Sequence, residues 1–335
     1  MQLFGKDLSR DVAVIAEIGV NHEGNFDKAL ELVRLAAEAG ADAVKFQSYA
    51  PERLTSSDEP ERLARVTRYA LDVSAHHRLA DEARNCGIAF FSSAITEDTV
   101  QLIASLAPAI KIASGDLDFE PVIRAAAASG RIVLLSTGTG TIDEVDRAVG
   151  WVRDEIGSAP LMDRLVLFQC VSAYPAPIEE AQTAVVTQYK SRYGIEVGYS
   201  NHVIGPEACY AAVALGASVL EVHFTDCKTG RMFRDHSLSF EPADLADLVA
   251  KVGRIRAAIG SSTKGPQTSE SASILAIRKG VVAARDIAEG TVLAREDLMF
   301  ARPASEFPSA QIGQLPGKRL KRSLKRGQVI KRSDV

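Results

Sequence analysis

The chain contains two histidines, one structural repeat apart, whose type and spacing suggest a chemical role. His202 and His223 are separated by 21 positions, and each lies at the end of a short apolar segment. One strand-and-helix unit spans about this length, so the two imidazoles would reach the same height on adjacent parallel strands. Two histidines, completed by water or a carboxylate, suit a divalent transition metal. The alternative is a pair of hydrogen-bonded histidines in the core. Two other histidines, His76 and His77, lie in a helical pattern and are expected at the surface.

Two lysines lie inside otherwise apolar segments. Burying Lys45 and Lys111 is costly unless an anion meets each charge. One possibility is an internal salt bridge to Glu17, Asp116 or Glu221. The other is a clamp for a phosphate or carboxylate, supported by the start of the helix that follows 136–138. Hydroxyl side chains at the ends of four segments would complete such a clamp: Ser92 and Ser93, Ser114, Ser136 and Thr137, and Ser200.

The elements that must position these residues are apolar runs alternating with amphipathic patterns. Eight runs rich in Val, Ile, Leu or Phe occupy 12–19, 41–47, 87–93, 108–114, 131–138, 164–170, 195–200 and 218–224. A helical pattern follows each run, and several of these patterns end in glycine. Eight strand-helix units in about 250 residues predict a TIM (β/α)8 barrel, whose chemistry gathers at the carboxyl ends of its strands. No GxGxxG follows the first run, which argues against a dinucleotide-binding fold.

The length of 335 residues leaves room for a second domain after the barrel. With 46% apolar and 24% charged residues, the composition is that of a globular protein and excludes disorder. Residues 260–275 are small, polar and without period, which predicts a linker between a barrel at 1–259 and a further domain at 276–335. Short β-like runs and turn signals make that second domain small and mostly β.

The net charge of −4 is unevenly distributed. Residues 1–277 carry 26 Lys and Arg against 37 Asp and Glu, a net −11, whereas residues 278–335 carry 13 against 6, a net +7. The acidic body argues against nucleic acid as a partner. The basic segment is either a solvated face or one that docks on the acidic body of its own or a neighbouring subunit.

No segment has the length and hydrophobicity of a signal peptide or a membrane span. The sequence therefore predicts a cytoplasmic protein that has no membrane partner. Its four cysteines, Cys86, Cys170, Cys209 and Cys227, show no CxxC pairing. Buried free thiols are the expectation for a chain of this size.

Several short motifs also give the chain a family resemblance. They are AEIGVNHEG (16–24), AVKFQ (43–47), KIASGD (111–116), LLSTG (134–138), QCVSAYPAP (169–177), GYSNH (198–202), EVHFTD (221–226) and the DH of MFRDHSLSFEP. In order and spacing they resemble the sialic acid synthases. The segment containing DIAEGTVL, ARP, IGQLPGKRL and KRGQVI resembles the antifreeze-like (SAF) domain of the same family. The resemblance implies a transferase that condenses phosphoenolpyruvate with an N-acyl amino-sugar aldehyde, similar to N-acetylmannosamine, to give a nonulosonic acid and phosphate.

The resemblance also implies roles for individual residues. Glu17 matches the catalytic glutamate, and His202 and His223 match the ligands of a divalent metal, manganese in the first place, with magnesium or cobalt as alternatives. The matches to the phosphoenolpyruvate site are Lys45, Ser93, Lys111, Ser114, Ser136, Ser172 and Ser200. The matches to the sugar site are Gln47, Asp116, Tyr174, Asp235 and Arg302. In the family, the arginine that Arg302 matches comes from a partner subunit. The resemblance therefore implies a domain-swapped homodimer.

Departures from the family pattern fall mainly on the sugar side. Asp116 replaces a glutamate, Ser93 replaces a threonine, and Ala304-Ser305-Glu306 replaces Gly-Asn-Gly. The loop 51–75 offers no obvious asparagine for the family's sugar contact. These departures leave open a 2,4-diacylamino-trideoxyhexose, giving a legionaminate- or pseudaminate-type acid, or plain mannose. Two further alternatives are a pyruvate aldolase with a Schiff-base lysine at Lys45 or Lys111 and a non-catalytic carbohydrate-binding protein.

Overall fold

The computed structural model describes residues 1–304 and 306–335. The chain divides into two units, Met1–Gly260 and Ser261–Val335. Ser305, one of the three residues that depart from the family pattern after Arg302-Pro303, lies outside the described residues.

Eight parallel strands of the first unit close into a barrel. They are β3 (Ala13–Gly19), β4 (Ala43–Ser48), β5 (Ala89–Ala94), β6 (Ala109–Ile112), β7 (Ile132–Ser136), β8 (Leu165–Gln169), β9 (Glu196–Asn201) and β10 (Val219–His223). Each strand pairs with the next along the chain, and β10 pairs with β3 to complete the ring. Nearly every strand residue is buried, as the apolar runs require of strands covered on both faces. The predicted TIM barrel is confirmed.

Helices cover the outside of the barrel. Their bounds are α1 (Phe26–Glu38), α2 (Pro51–Leu54), α3 (Pro60–Tyr69), α4 (Val73–Asn85), α5 (Val100–Leu106), α6 (Glu120–Ala128), α7 (Ile142–Ile156), α8 (Val185–Tyr193), α9 (Glu207–Ala214), α10 (Asp235–Leu238) and α11 (Pro242–Ile259). Four 3₁₀ turns join them, at Glu97–Thr99, Ser114–Asp116, Leu161–Asp163 and Ile178–Glu180. The region 51–75, which the sequence suggested to be a loop, contains α2, α3 and the start of α4.

Helix α1 illustrates why these segments are helical. The Asn25 side chain accepts a hydrogen bond from the Lys28 backbone N–H at 3.1 Å and so satisfies one of the unpaired groups at the helix start. The residues that α1 buries are spaced as one helical face: Ala29, Leu32, Val33 and Ala36. Packing of this stripe on the barrel therefore stabilises the helix more than its propensity does.

The two ends of the barrel differ. A short hairpin, β1 (Gln2–Leu3) paired with β2 (Lys6–Asp7), lies at the amino ends of the strands, where the Phe4 ring packs 4.9 Å from Phe91. The helix-to-strand connections are at this end too, including the segment 157–160 between α7 and β8, whose Ser158 is exposed. The polar strand residues gather at the opposite, carboxyl end.

The strand register brings the polar residues to one level. Glu17 on β3 lies opposite Lys45 on β4 and also opposite His223 on β10. Ser93 on β5 lies opposite Lys111 on β6. Since side chains in register on adjacent parallel strands share a height, these groups face the same space inside the barrel.

The second unit has its own core. Strands β11 (Gly280–Ala283) and β12 (Leu298–Ala301) pair antiparallel, preceded by α12 (Ile274–Ile277). Its 3₁₀ turns lie at Thr268–Glu270, Arg295–Asp297, Ser309–Gln314 and Arg332–Asp334. The buried apolar side chains are Val281, Ala283, Ile287, Leu293, Leu298, Phe307, Leu315, Leu320, Leu324 and Ile330. This agrees with the small, mostly β domain expected from the sequence.

Among the described residues, no helix is both long enough and apolar enough to cross a bilayer.

Candidate active site

An inner cavity of about 170 Å³ opens at the carboxyl ends of the barrel strands. It brings together twelve of the fifteen residues predicted for the site: Glu17, Lys45, Gln47, Ser93, Lys111, Ser114, Ser136, Tyr174, Ser200, His202, His223 and Asp235. Residues more than 200 positions apart therefore converge because the barrel closes. This space is called the inner cavity below.

Four buried charges occupy the floor of the inner cavity. The Lys45 ammonium lies 2.7 Å from a Glu17 carboxylate oxygen and 3.6 Å from Glu221. The Lys111 ammonium lies 3.8 Å from Glu221 and donates a hydrogen bond to Ser136 Oγ at 2.6 Å. The internal salt bridges considered for both lysines thus exist. Both ammonium groups also face the cavity, so the salt bridges do not exclude an anion clamp.

The pKa values of these four groups are shifted in different directions. Burial raises the pKa of Glu17 to about 7, although the Lys45 charge opposes the rise. Burial opposes the charge of Glu221 as well, but Lys111 and Lys45 hold its pKa below the usual value. Burial lowers the pKa of Lys111, whereas the two carboxylates raise the pKa of Lys45 against the effect of burial. Glu17 is therefore the carboxyl group of this cluster that can hold or release a proton near neutral pH.

Gly19 leaves room for the Glu17 carboxyl group. Its φ is +53°, a left-handed conformation, and a Cβ there would lie 2.8 Å from Glu17 Oε1. The pairing of β3 with β4 shifts between Glu17 and Gly19, which turns the chain out of the barrel at this point. The glycine is needed both for the backbone conformation and for the space beside the carboxyl group.

Serine hydroxyls line the side of the inner cavity beside the lysines. Ser93 Oγ accepts a hydrogen bond from Lys45 at 3.1 Å, and Ser114 Oγ accepts one from the Gly138 backbone N–H at 3.0 Å. Ser172 is close as well, because a Cβ on Gly138 would collide with its Oγ. Such groups suit the oxygens of a phosphate or carboxylate.

The two predicted metal ligands lie side by side. The ring centroids of His202 and His223 are 5.3 Å apart. His202 Nδ1 lies 2.6 Å from the Val171 carbonyl oxygen, which fixes the proton on Nδ1 and leaves the Nε2 lone pair free to bind an ion. Burial lowers the pKa of both histidines, so both rings are neutral near pH 7.

These two imidazoles fit a divalent ion that takes its remaining ligands from water or substrate. No group of three or more His, Cys, Asp or Glu in the described chain is arranged to hold an ion by itself. Asp235 Oδ2 lies 4.0 Å from His223 Nδ1 and is the nearest carboxylate to that ring among the ion pairs of the barrel unit. A site with two protein ligands keeps positions open for a reacting molecule, as catalytic metal sites require.

An aromatic and an arginine side chain form the mouth of the inner cavity. The Tyr174 ring lies 4.2 Å from the His202 ring, and the Arg234 guanidinium covers the Tyr174 ring at 4.8 Å. Arg234 also donates to Asp235 at 3.2 Å. Gln47 Nε2 reaches Glu17 Oε1 at 3.5 Å, so this amide faces the proton-bearing group. Polar groups of this kind suit a sugar.

The remaining predicted site residues have different positions. Asp116 ends the 3₁₀ turn that follows β6; burial raises its pKa to about 6, with Asp118 adding to the rise. Arg302 is exposed in the second unit, immediately after β12. Glu306 of the same unit accepts a hydrogen bond from the Arg332 backbone N–H at 2.8 Å.

Several residues of the inner cavity were not predicted as site residues. Glu221 was considered only as a salt-bridge partner, yet its Oε2 is buried and lacks a hydrogen-bond partner within the fully described barrel unit. The signal for it was available, because Glu221 and His223 are two positions apart on one strand and so face the same side. Cys170 and Arg234 also line the cavity. Nothing in their local sequence distinguishes them from ordinary core and surface residues.

His76 corrects an interpretation made from the sequence. The helical pattern suggested that His76 and His77 are both surface residues, but His76 is only 2% exposed. Its Nε2 lies 2.6 Å from Ser48 Oγ, which in turn donates to Ser92 Oγ at 2.7 Å. Its Nδ1 lies 2.7 Å from the Asp72 carbonyl oxygen. Both ring nitrogens therefore have partners, and α4 can pack this position against the barrel. His77 is exposed as expected.

A second, larger space adjoins the inner cavity. This outer cavity has a volume of about 810 Å³ and shares Gln47, Arg234 and Asp235 with the inner one. Helix α3 supplies much of its wall. The sequence analysis predicts no helix in 51–69, so this wall was not anticipated.

Comparison with known proteins yields consistent matches. A family model described as the NeuB family matches residues 32–264, and one described as the SAF domain matches residues 278–335. The N,N'-diacetyllegionaminic acid synthase of Campylobacter jejuni subsp. jejuni serotype O:2 is 33% identical over 332 residues, covering 95% of this chain and 98% of that protein. The N-acetylneuraminate-9-phosphate synthase of Homo sapiens is 35% identical over 322 residues, covering 92% and 88%.

A solved structure agrees with both. The crystal structure of the N-acetylneuraminic acid (sialic acid) synthetase from Leptospira borgpetersenii serovar Hardjo-bovis in complex with citrate superposes with a TM-score of 0.74 at 33% identity. The match covers 79% of this chain and 90% of that one. Barrel and SAF-like segment thus both have counterparts among known proteins.

Proposed function

Since this chain belongs to the NeuB family, whose synthases are phosphoenolpyruvate-condensing transferases that form nonulosonic acids, we propose that its second substrate is an N-acyl amino-sugar aldehyde similar to N-acetylmannosamine. The resemblance to sialic acid synthases with a SAF domain is confirmed. The aldolase and non-catalytic alternatives are set aside by the family. The observation that carries the proposal is the inner cavity, in which two buried lysines, a carboxyl group that titrates near neutral pH and two neutral histidines converge.

The inner cavity suits phosphoenolpyruvate. This substrate carries a phosphate and a carboxylate, and the cavity offers two ammonium groups, Lys45 and Lys111, together with serine hydroxyls. In a buried site, charge-assisted hydrogen bonds to these oxygens are the strongest that side chains can offer. The anion would also compete with Glu17 and Glu221 for the lysines.

The condensation needs a proton at a defined place. When the methylene carbon of phosphoenolpyruvate bonds to the aldehyde carbon, its C=C π electrons form the new bond, and the carbonyl π electrons move to the aldehyde oxygen, which takes a proton. Water then adds to C2 of the former phosphoenolpyruvate, and the bond from C2 to the phosphate oxygen breaks. Phosphate leaves, and loss of a proton from the added water gives the 2-keto group. Glu17 lies in the inner cavity with a pKa of about 7, so it carries the proton for the aldehyde oxygen in a large fraction of molecules at neutral pH. Lys45 at 2.7 Å stabilises the carboxylate that remains.

His202 and His223 would hold a divalent ion in the inner cavity, with manganese preferred over magnesium or cobalt. Such an ion supplies Lewis acidity toward a carbonyl oxygen when bound. Tyr174 contacts both rings, at centroid distances of 4.2 Å and 5.9 Å, and keeps them in place. The neutral state of the rings is the one that metal binding requires.

The test of the function is phosphate release from phosphoenolpyruvate over a panel of aldehydes. The panel contains N-acetylmannosamine, a 2,4-diacetamido-trideoxyhexose and mannose, and mass spectrometry identifies each product. We expect N-acetylmannosamine to give the highest kcat/KM. The diacetamido sugar is included because the Campylobacter jejuni relative is named for N,N'-diacetyllegionaminic acid. Absence of phosphate release with every aldehyde of this panel, and with N-acetylmannosamine 6-phosphate as well, would refute the proposal.

Metal removal should abolish turnover. Dialysis against a chelator is expected to stop phosphate release, and manganese should restore it more fully than magnesium or cobalt. His202→Ala should bind manganese at least about tenfold more weakly, because one imidazole alone cannot hold the ion. Manganese titration followed by electron paramagnetic resonance measures this directly, with His77→Ala on the exposed face of α4 as control. Full activity in metal-free protein would contradict the proposed role of the pair.

We also propose that the site is completed by a partner subunit in a domain-swapped homodimer. Arg302 is exposed and stands where the family's sugar-contacting arginine is expected. The +7 charge of residues 278–335 and the −11 charge of residues 1–277 favour docking between them. The segment 260–275, which the sequence predicts to be a linker, could span roughly 50 Å if extended, enough to reach a neighbouring barrel.

Complementation tests the swapped arrangement. Glu17→Gln and Arg302→Ala chains should each lose nearly all activity, yet their heterodimer should contain one site with an intact barrel and an intact arm. Because one of the two sites in each heterodimer is intact, we expect about a quarter to a half of the wild-type activity per heterodimer. The readout is phosphate release after co-refolding of differently tagged chains. Heterodimers that form but stay inactive would show that the arm does not act across the interface.

A further inference from the structure

The outer cavity has a wall of arginines. Arg62, Arg65 and Arg68 of α3 line it, whereas none of the three lines the inner cavity. They follow one another at every third position, so they lie along one side of the helix. Residues 1–277 carry a net charge of −11, and a cluster of three cations there is a local reversal of sign.

Few carboxylates neutralise this wall. In the barrel unit, which the structure describes completely, neither Arg65 nor Arg68 has a carboxylate oxygen within 4 Å. Arg62 reaches Glu59 at 3.4 Å, but both side chains are about half exposed, so water screens this pair. Arg68 also donates to the Tyr69 hydroxyl at 2.8 Å, which directs its guanidinium without cancelling its charge.

The acidic residues of the outer cavity are already engaged elsewhere. Glu23 lies 3.2 Å from His236 Nε2 and 3.6 Å from Arg231. Asp235 accepts a hydrogen bond from Arg234 at 3.2 Å. The cavity therefore keeps an excess of positive charge on the side formed by α3.

Helix α3 is held in a fixed position. The Tyr49 hydroxyl donates to the Val66 carbonyl oxygen at 3.1 Å. The Tyr69 ring is buried and packs edge-on against Phe233 at 5.9 Å. The helix that carries the arginines is therefore in place before any ligand arrives, which removes the cost of ordering its backbone on binding.

From this arrangement we propose that the aldehyde substrate carries a phosphate monoester at the end remote from its aldehyde group, bound by Arg62, Arg65 and Arg68. The inference rests on the proposed function, because it assumes that the aldehyde end meets phosphoenolpyruvate in the inner cavity. Gln47, Arg234 and Asp235 border both cavities, so a sugar lying past them points its far end into the outer cavity. Guanidinium groups bind phosphate through paired hydrogen bonds, and a dianion suits several of them better than a single carboxylate does.

The experiment compares N-acetylmannosamine 6-phosphate with N-acetylmannosamine at saturating phosphoenolpyruvate, with formation of the 2-keto acid as readout. Wild-type protein should favour the phosphorylated aldehyde by about 100-fold or more in kcat/KM, as two or more charge-assisted contacts would give. Arg65→Ala and Arg68→Ala should each reduce this preference by about tenfold. Arg84→Ala is the matched control, because Arg84 is an exposed arginine on α4 that pairs with Asp81.

The outcomes separate the inference from the proposed function. Turnover of N-acetylmannosamine without a preference for its phosphate overturns the inference alone. The inference also fails if the arginine variants keep the wild-type preference, or if they raise the KM of phosphoenolpyruvate while the preference is unchanged. Absence of turnover with either aldehyde, and with the panel above, overturns both.

Discussion

Glu17→Gln should lower kcat by about 100-fold to 10,000-fold, the range in which loss of a general acid or base falls. Glutamine keeps the size of the side chain, so the fold should stay intact. Turnover should fall because glutamine cannot exchange a proton. Steady-state phosphate release and thermal unfolding measure the two effects. The matched control is Glu38→Gln, an exposed residue at the end of α1, which should leave both unchanged.

The pH profile tests the same role more specifically. Because burial raises the pKa of Glu17 to about 7, the group is protonated below that pH and ionised above it. If Glu17 donates the proton to the aldehyde oxygen, kcat should fall as the pH rises through 7. The residual activity of Glu17→Gln should lack this fall. A variant with wild-type turnover, or an unchanged alkaline limb, would exclude Glu17 as the donor.

Lys111→Met should raise the KM for phosphoenolpyruvate by about 10-fold to 100-fold, as expected from loss of a charged hydrogen bond worth about 1.5–3 kcal/mol. Methionine keeps the apolar stem and removes only the charge. The expected change in stability is small, because Lys111 lies 3.8 Å from Glu221, too far for a hydrogen bond, and Lys45 remains beside that carboxylate.

The alternative role of Lys111, as a salt-bridge partner of Glu221, predicts a different result. If the lysine serves only to neutralise Glu221, the variant should lose stability while folded molecules keep their affinity for phosphoenolpyruvate. Initial-rate kinetics and thermal unfolding of one preparation separate the two cases. Lys251→Met is the control, because Lys251 is an exposed lysine that pairs with Asp247 at 2.6 Å on α11.

The sequence was sufficient for the barrel and for most of the inner cavity. Apolar runs of the observed length mark strands buried on both faces, and the barrel rule then assigns their last polar residues to one rim. His202 and His223 could be paired in this way from spacing alone. Both lysines could be assigned to the rim, since charge inside an apolar strand requires a partner.

Other parts of the site depend on contacts that a linear pattern does not contain. The wall formed by α3 was not expected, because its segment PERLARVTRY buries only Tyr69 and so lacks an apolar stripe. The packing of His76 against Ser48 depends on how α4 is rotated on the barrel. The high pKa of Glu17 beside a lysine reflects complete burial, which its motif alone does not reveal.

The separation between the two ends of the barrel has a practical consequence for handling the protein. The inner cavity is at the carboxyl ends of the strands, whereas the exposed segment 157–160 lies at the amino ends, before β8. A tether attached at Ser158 would therefore hold the molecule with its reacting face turned away from the support. Immobilised on a resin or a sensor chip through this point, the barrel would present its mouth to substrate in the flowing solvent.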